Sequence, residues 1–215
     1  MKSLPAILGL ALLSVACASG TRAQSPGDPM SGQDNALMVP PGYGTLRQDD
    51  ISINMRLDQI EIRFLPLDER VLRLLANDAY QALTALVRQN QSGIDSIAAR
   101  RGLSAPGLAL VTYLGRVPNA RFDSQILSLQ NRGMTLLPLG VVPLDPRFSS
   151  QELGIRGQAR AIYVFDQIVP VIEPFTLVYG TDQANDWEGR LQTLDRERAR
   201  VVLRAQAVAG DSVNR

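Results

Sequence analysis

The chain has 215 residues, 45% hydrophobic and 20% charged, a balance that fits one globular domain with its own core and excludes a disordered polymer. Its 22 lysines and arginines nearly cancel 21 acids, leaving a net charge of +1, and Lys2 is the only lysine. A neutral body without a basic stripe excludes nucleic acid as an expected partner, and the lack of histidine excludes Ser-His-Asp and Cys-His catalysis and histidine-ligated zinc.

Residues 1–23 read as a signal peptide: Met1 and Lys2 give a positive start, Leu4 to Ala16 an apolar run, and Ala16 to Gly20 a set of small residues. The apolar run has 13 residues, short of the roughly 20 that a membrane-spanning helix needs. Leu13-Ser14-Val15-Ala16-Cys17 resembles a lipobox, departing from it at Ser14, where a branched apolar residue is usual. Because Cys17 is the only cysteine, lipidation there after cleavage before it is the favoured expectation, with cuts after Ala18 or Ala23 as rivals. Each outcome removes the thiol from catalysis and from disulfide bonding.

Residues 24–46 are rich in Pro, Gly, Ser, Asp and Asn and read as a flexible linker, able as coil to hold the body about 25 Å from an anchor. A single α+β domain is expected over 47–215. Ile51, Ile53, Met55 and Leu57 alternate with polar residues, and after Asp58-Gln59 the alternation resumes out of phase at Ile60, Ile62 and Phe64. That slip predicts a hairpin ending at Leu65-Pro66.

Asn77 or Asp78 is positioned to cap a helix with Tyr80, Leu83, Leu86 and Val87 on one face; Ser92 and Asp95 restart it through Ile94 and Ile97, and Gly102 stops it. Leu108–Leu114 reads as a buried strand, and Gln125–Gln130 and Met134–Val142 flank an Asn131-Arg132-Gly133 turn. Ala159–Phe165 and Phe175–Tyr179 are two further strands. Asn185 with Glu188 forms a capping-box pattern before a long helix striped by Trp187, Leu191, Leu194, Arg198, Val201, Ala205 and Val208. Short strands without regular strand–helix alternation predict an antiparallel β-sandwich or curved sheet with inserted helices and a long C-terminal helix.

Candidate chemistry is confined to carboxylates, arginines, tyrosines and serines, and no catalytic, metal or cofactor residue is expected. Asp49-Asp50 and Asp68-Glu69 are adjacent pairs and read as solvated turn residues. Asp182 and Asp186 read as a turn and a helix cap in preference to a calcium site. Arg190, Arg196, Arg198, Arg200 and Arg204 alternate with Glu188, Asp195 and Glu197 as a self-paired solvated face. Tyr43, Tyr113 and Tyr163 are candidates for a sugar site or for core packing.

These features favour a non-catalytic exported module that binds an envelope or extracellular protein or polymer, touching a membrane only through a lipid at Cys17. Two alternatives stay open: a carboxylate-dependent hydrolase of polysaccharide or peptide, and an assembly subunit pairing through the C-terminal helix.

Overall fold

The computed structural model describes residues 38–213. The expected signal peptide, Cys17 and residues 24–37 of the expected linker lie outside the described residues. The chain forms strands β1 (Ile53–Arg56), β2 (Ile60–Pro66), β3 (Gly107–Gly115), β4 (Ala120–Arg121), β5 (Leu127–Asn131), β6 (Met134–Leu136), β7 (Pro138–Pro143), β8 (Glu152–Leu153), β9 (Gln158–Phe165), β10 (Thr176–Tyr179) and β11 (Asp182–Ala184). The helices are α1 (Glu69–Leu72), α2 (Asn77–Gln89), α3 (Gln91–Arg100), α4 (Arg147–Ser150) and α5 (Trp187–Val213), with a 3-10 turn at Gln48–Ile51 before β1.

The fold is α+β, and every strand pair is antiparallel. One sheet has the order β1-β2-β3-β9-β7 and a second the order β11-β10-β5-β6, while β4 and β8 form a small two-stranded ladder. The two larger sheets face each other across one core to which both contribute, including Ile62, Phe64, Val111, Tyr113, Ala161, Tyr163, Leu127, Leu129 and Leu177. They also meet at their edges: β11 lies beside β1, and β6 runs on through Leu137 into β7, so one stretch of chain serves first one sheet and then the other.

The expected hairpin forms β1 and β2, with Ile53 opposite Phe64 and Arg56 opposite Glu61. Ile51 belongs to the preceding 3-10 turn instead of to the strand. At Asn131-Arg132-Gly133, Arg132 and Gly133 both have positive φ, 48° and 78°, the left-handed pair that a two-residue hairpin with right-twisted strands requires. The expected strand over Met134–Val142 is divided, because Leu137 is the point at which the chain leaves β5 and joins β9.

Helix ends depart from the expected caps. α2 begins at Asn77 itself with Ala76 at the cap position, and α3 begins at Gln91 after Asn90; neither has a side-chain cap. Gly102 does end the helical pair, with φ of 68° just beyond Arg101. α5 starts at Trp187, one residue later than a cap at Asn185 allows.

Within the expected linker, residues 38–46 pack on the body. Val39 is buried, and Leu46 bridges in parallel to Leu75, its N–H donating to Leu74 and its carbonyl accepting from Ala76. Gly44 makes this approach feasible: a Cβ there would sit 2.2 Å from the Leu74 carbonyl.

The core is strung on aromatic rings. Trp187 packs on Phe175 with ring centres 5.0 Å apart; Phe175 meets Phe64, Phe64 meets Phe165, and Phe165 meets Tyr163. Phe148 continues the chain to Phe122, and Phe122 stacks on Tyr113 at 4.2 Å. All five phenylalanines are used in this way. Such contacts add to the burial energy of large apolar side chains.

Two buried hydroxyls interrupt the apolar interior. The Tyr163 hydroxyl donates to the Ser124 carbonyl at 3.0 Å, which leaves its oxygen to accept the Tyr113 hydroxyl at 2.6 Å. Burial raises both phenols well above the ordinary range, so both remain neutral. Tyr179 holds the same loop from its other side, accepting the Asp123 N–H at 2.7 Å.

Glu197 fastens α5 to the N-terminal segment. Its carboxylate is nearly inaccessible, accepting from the Thr45 N–H and hydroxyl at 2.9 Å each and from Arg204 at 2.8 Å. Arg204 also donates to the Tyr43 carbonyl at 2.6 Å. Burial alone would raise the Glu197 pKa, but the hydrogen bonds from Arg204 and Thr45 outweigh it and hold the carboxyl below its usual value.

Tyr163→Phe is expected to cost about 2–4 kcal/mol in urea unfolding, because it leaves both the Ser124 carbonyl and the Tyr113 hydroxyl without a partner. Tyr113→Phe, which strands no second group, should cost less; equal losses would remove the assigned donor order. Glu197→Gln should lower stability by about 2 kcal/mol near neutrality. Because the folded-state pKa is depressed, that contribution is complete above the unfolded carboxyl value of about 4.3 and is lost as pH falls through the folded value. The gap in melting temperature between Glu197→Gln and the parent should therefore close below about pH 4.

Candidate functional site

Two concavities meet at the β5–β6 turn. The first, of about 440 Å³, lies on the outer face of the four-stranded sheet and is lined by Gln130, Arg132, Thr135, Thr176, Asn185 and Glu188, with Phe175 in its wall. Strand alternation explains that lining. Leu129 pairs with Leu177 on one side and Leu136 on the other, and all three turn into the core. Their neighbours Gln130, Thr176 and Thr135, also mutual partners, must therefore face outward.

The second concavity, of about 350 Å³, is apolar. It separates the free edge of β6 from the loop after β9, and its walls include Met134, Leu136, Ile168, Pro170 and Ile172. Met134 and Ile168 are 52% and 46% exposed, and Leu137, next in sequence to Leu136, is 58% exposed. A third hollow, of about 300 Å³, adjoins it through Ile168 and Arg70 and is where Met38 enters the body.

Apart from Glu188 in the polar concavity, charged groups at these walls are engaged in pairs. Arg70 is nearly buried and grips Asp68 with two parallel bonds, Nε to Oδ1 at 2.9 Å and Nη2 to Oδ2 at 2.7 Å, while donating to the Val169 carbonyl at 3.2 Å. Through that carbonyl it ties α1 to the loop that walls the apolar cleft. Arg132 pairs with Glu173 at 2.9 Å across the mouth. Asn131 is buried between them and donates to the Pro174 carbonyl at 2.8 Å and to Glu173 at 3.4 Å.

The residues singled out from sequence are placed differently. Asp68 caps α1 through the Arg70 N–H and forms a half-buried ion pair, so it is no solvated turn residue. Glu69 likewise accepts from Arg73 at 2.6 Å and from the Tyr80 hydroxyl at 3.2 Å. Asp49 is largely exposed, as expected of a turn, and pairs with Arg63 at 2.7 Å. Tyr113 and Tyr163 are core residues, and Tyr43, half-buried, serves through its carbonyl; none of the three lines either cavity.

The expected self-paired arginine face is only partly so. Arg198 pairs with Asp195 at 2.6 Å along the helix, whereas Arg190 donates to the Asp49 and Asp50 carbonyls and anchors α5 to the 3-10 turn. Asp182 lies in β11 and Asp186 precedes α5; among the described residues no cluster of three or more acidic, cysteine or histidine side chains is arranged to hold a metal. Among the described residues, too, no helix is long and apolar enough to cross a membrane.

The molecule is thus an α+β protein of two facing antiparallel sheets, with a polar and an apolar concavity meeting at one hairpin turn. Comparison with protein-family models, with curated proteins and with solved structures finds no match for the chain.

Proposed function

We propose that this chain is an exported, non-catalytic binding module of the cell envelope, held at a membrane by a lipid on Cys17 and meeting a protein or polymer through the concavities beside the β5–β6 turn. The observation that carries the reading is the lining of the polar concavity: the amide and hydroxyl side chains Gln130, Thr135, Thr176 and Asn185 with one carboxylate, Glu188, while Glu173 beside it is held by Arg132. General acid–base work needs a proton donor and acceptor presented to substrate, whereas binding needs only shape and hydrogen-bonding groups. The charged start, apolar run and small residues before Cys17 support export and anchoring.

Expressed with its leader, the protein should fractionate with membranes and carry a diacylglyceryl group in its intact mass, and Cys17→Ser should move it to the soluble exported fraction. A mature N-terminus at Ser19 or Gln24 would remove the anchor from the reading, and a retained leader would remove export.

One observation favours a second reading, an assembly subunit pairing through α5. Leu203 and Val208 are 65% and 54% exposed where the helix runs past Val201, the last fully buried residue among those described. The double variant Leu203→Glu/Val208→Glu leaves Trp187, Leu194 and Val201 in the core, and on this reading it should convert a larger species in light scattering to a monomer. An unchanged mass would dispose of it.

A further inference from the structure

We infer that the polar groove is a binding site for a neutral, hydroxyl-rich chain, a glycan strand laid across the four-stranded sheet. The inference rests on the binding-module reading and names the chemistry of one of its ligands. Thr135, Gln130 and Thr176 stand opposite one another on β6, β5 and β10. Asn185 follows Ala184, whose partner is Leu177, and so comes level with Thr176. Four amide or hydroxyl side chains therefore form a row across adjacent strands, spanning about 14 Å at the usual strand spacing.

None of these four side chains, nor that of Glu188, is engaged by another protein group among the described residues. Asn185 does not cap α5, because the helix begins at Trp187. Amides and hydroxyls each offer both donor and acceptor, which is what sugar hydroxyls, themselves both, demand of a surface. An apolar or aliphatic ligand would gain nothing from such a row.

Charge separates glycan from other polymers. Arg132 and Glu188 contribute one charge of each sign to the lining, and Arg132 is already paired with Glu173. A polyanion such as nucleic acid would have to pass Glu188 without a free cation row to hold it. An extended peptide would favour the neighbouring cleft, where the edge of β6 and the apolar side chains Met134 and Ile168 lie together. With the phenylalanines and the tryptophan committed to the core, recognition in the groove falls to hydrogen bonds.

The test is calorimetric titration of the purified full chain with a soluble cello-oligosaccharide and, separately, a chito-oligosaccharide. At least one should bind saturably, with affinity little changed by salt, and the double variant Gln130→Ala/Thr176→Ala should weaken it about tenfold or more. Gln130 is exposed and Thr176 half-buried, and neither side chain has a protein partner among the described residues, so the variant should stay close to the parent's melting temperature. Met134→Ala/Ile168→Ala should leave sugar binding unchanged. The inference is overturned if neither sugar binds up to about 10 mM, if binding survives the groove variant, or if it vanishes on adding salt. Should both sugars fail while an apolar peptide binds and is lost in Met134→Ala/Ile168→Ala, the glycan assignment falls and the binding-module reading stands.

Discussion

One continuous run of chain, Met134 to Pro143, has to satisfy two sheets at once. Its first residues are bonded to β5 and its last to β9, and Leu137 between them carries the change of partner. Pairing on one flank in each half leaves the opposite flank of β6 free, and that free flank is one wall of the apolar cleft. Covering it would take a further strand, yet β9 ends at Phe165, and Val169 and Pro170 line the cleft outside any strand. The same crossover that closes the core therefore opens the cleft.

Everything around this crossover acts to hold its geometry. The aromatic series from Trp187 to Tyr113 fills the space between the sheets, and the Tyr113–Tyr163–Ser124 hydrogen bonds fix the loop that leads into β5. Arg70 binds the loop after β9 through the Val169 carbonyl, and Glu197 binds α5 to residue 45. The polar groups in these clamps are deeply placed and paired, the arrangement in which a hydrogen bond specifies position at little net cost in stability.

Much of the framework was legible in sequence. The phase slip at Asp58-Gln59 marked the first hairpin, Gly133 marked the turn between β5 and β6, and the stripe from Trp187 to Val201 marked the long helix. Helix starts differ from the capping pattern: Asn77 and Asn185 are good capping residues by type, but α2 has Ala76 at its cap position and α5 begins at Trp187. The short pieces α1, β4, β8 and β11 exist through tertiary pairing and leave no periodic trace. The candidate site was less visible still. Gln130, Thr135 and Thr176 become neighbours only through register, which no single strand encodes, and Asp68 read as a turn residue because Arg70 beside it gave no sign of being buried.

Trp187 is the only tryptophan in the chain, fully enclosed, with its indole N–H donating to the Val171 carbonyl at 3.2 Å. A single ring, Phe175, stands between it and the polar groove. Emission excited selectively at the indole, apart from the five tyrosines, is consequently the report of one chromophore, enclosed for as long as α5 stays docked. The molecule thus carries its own optical gauge of whether the last helix and the groove floor remain in register.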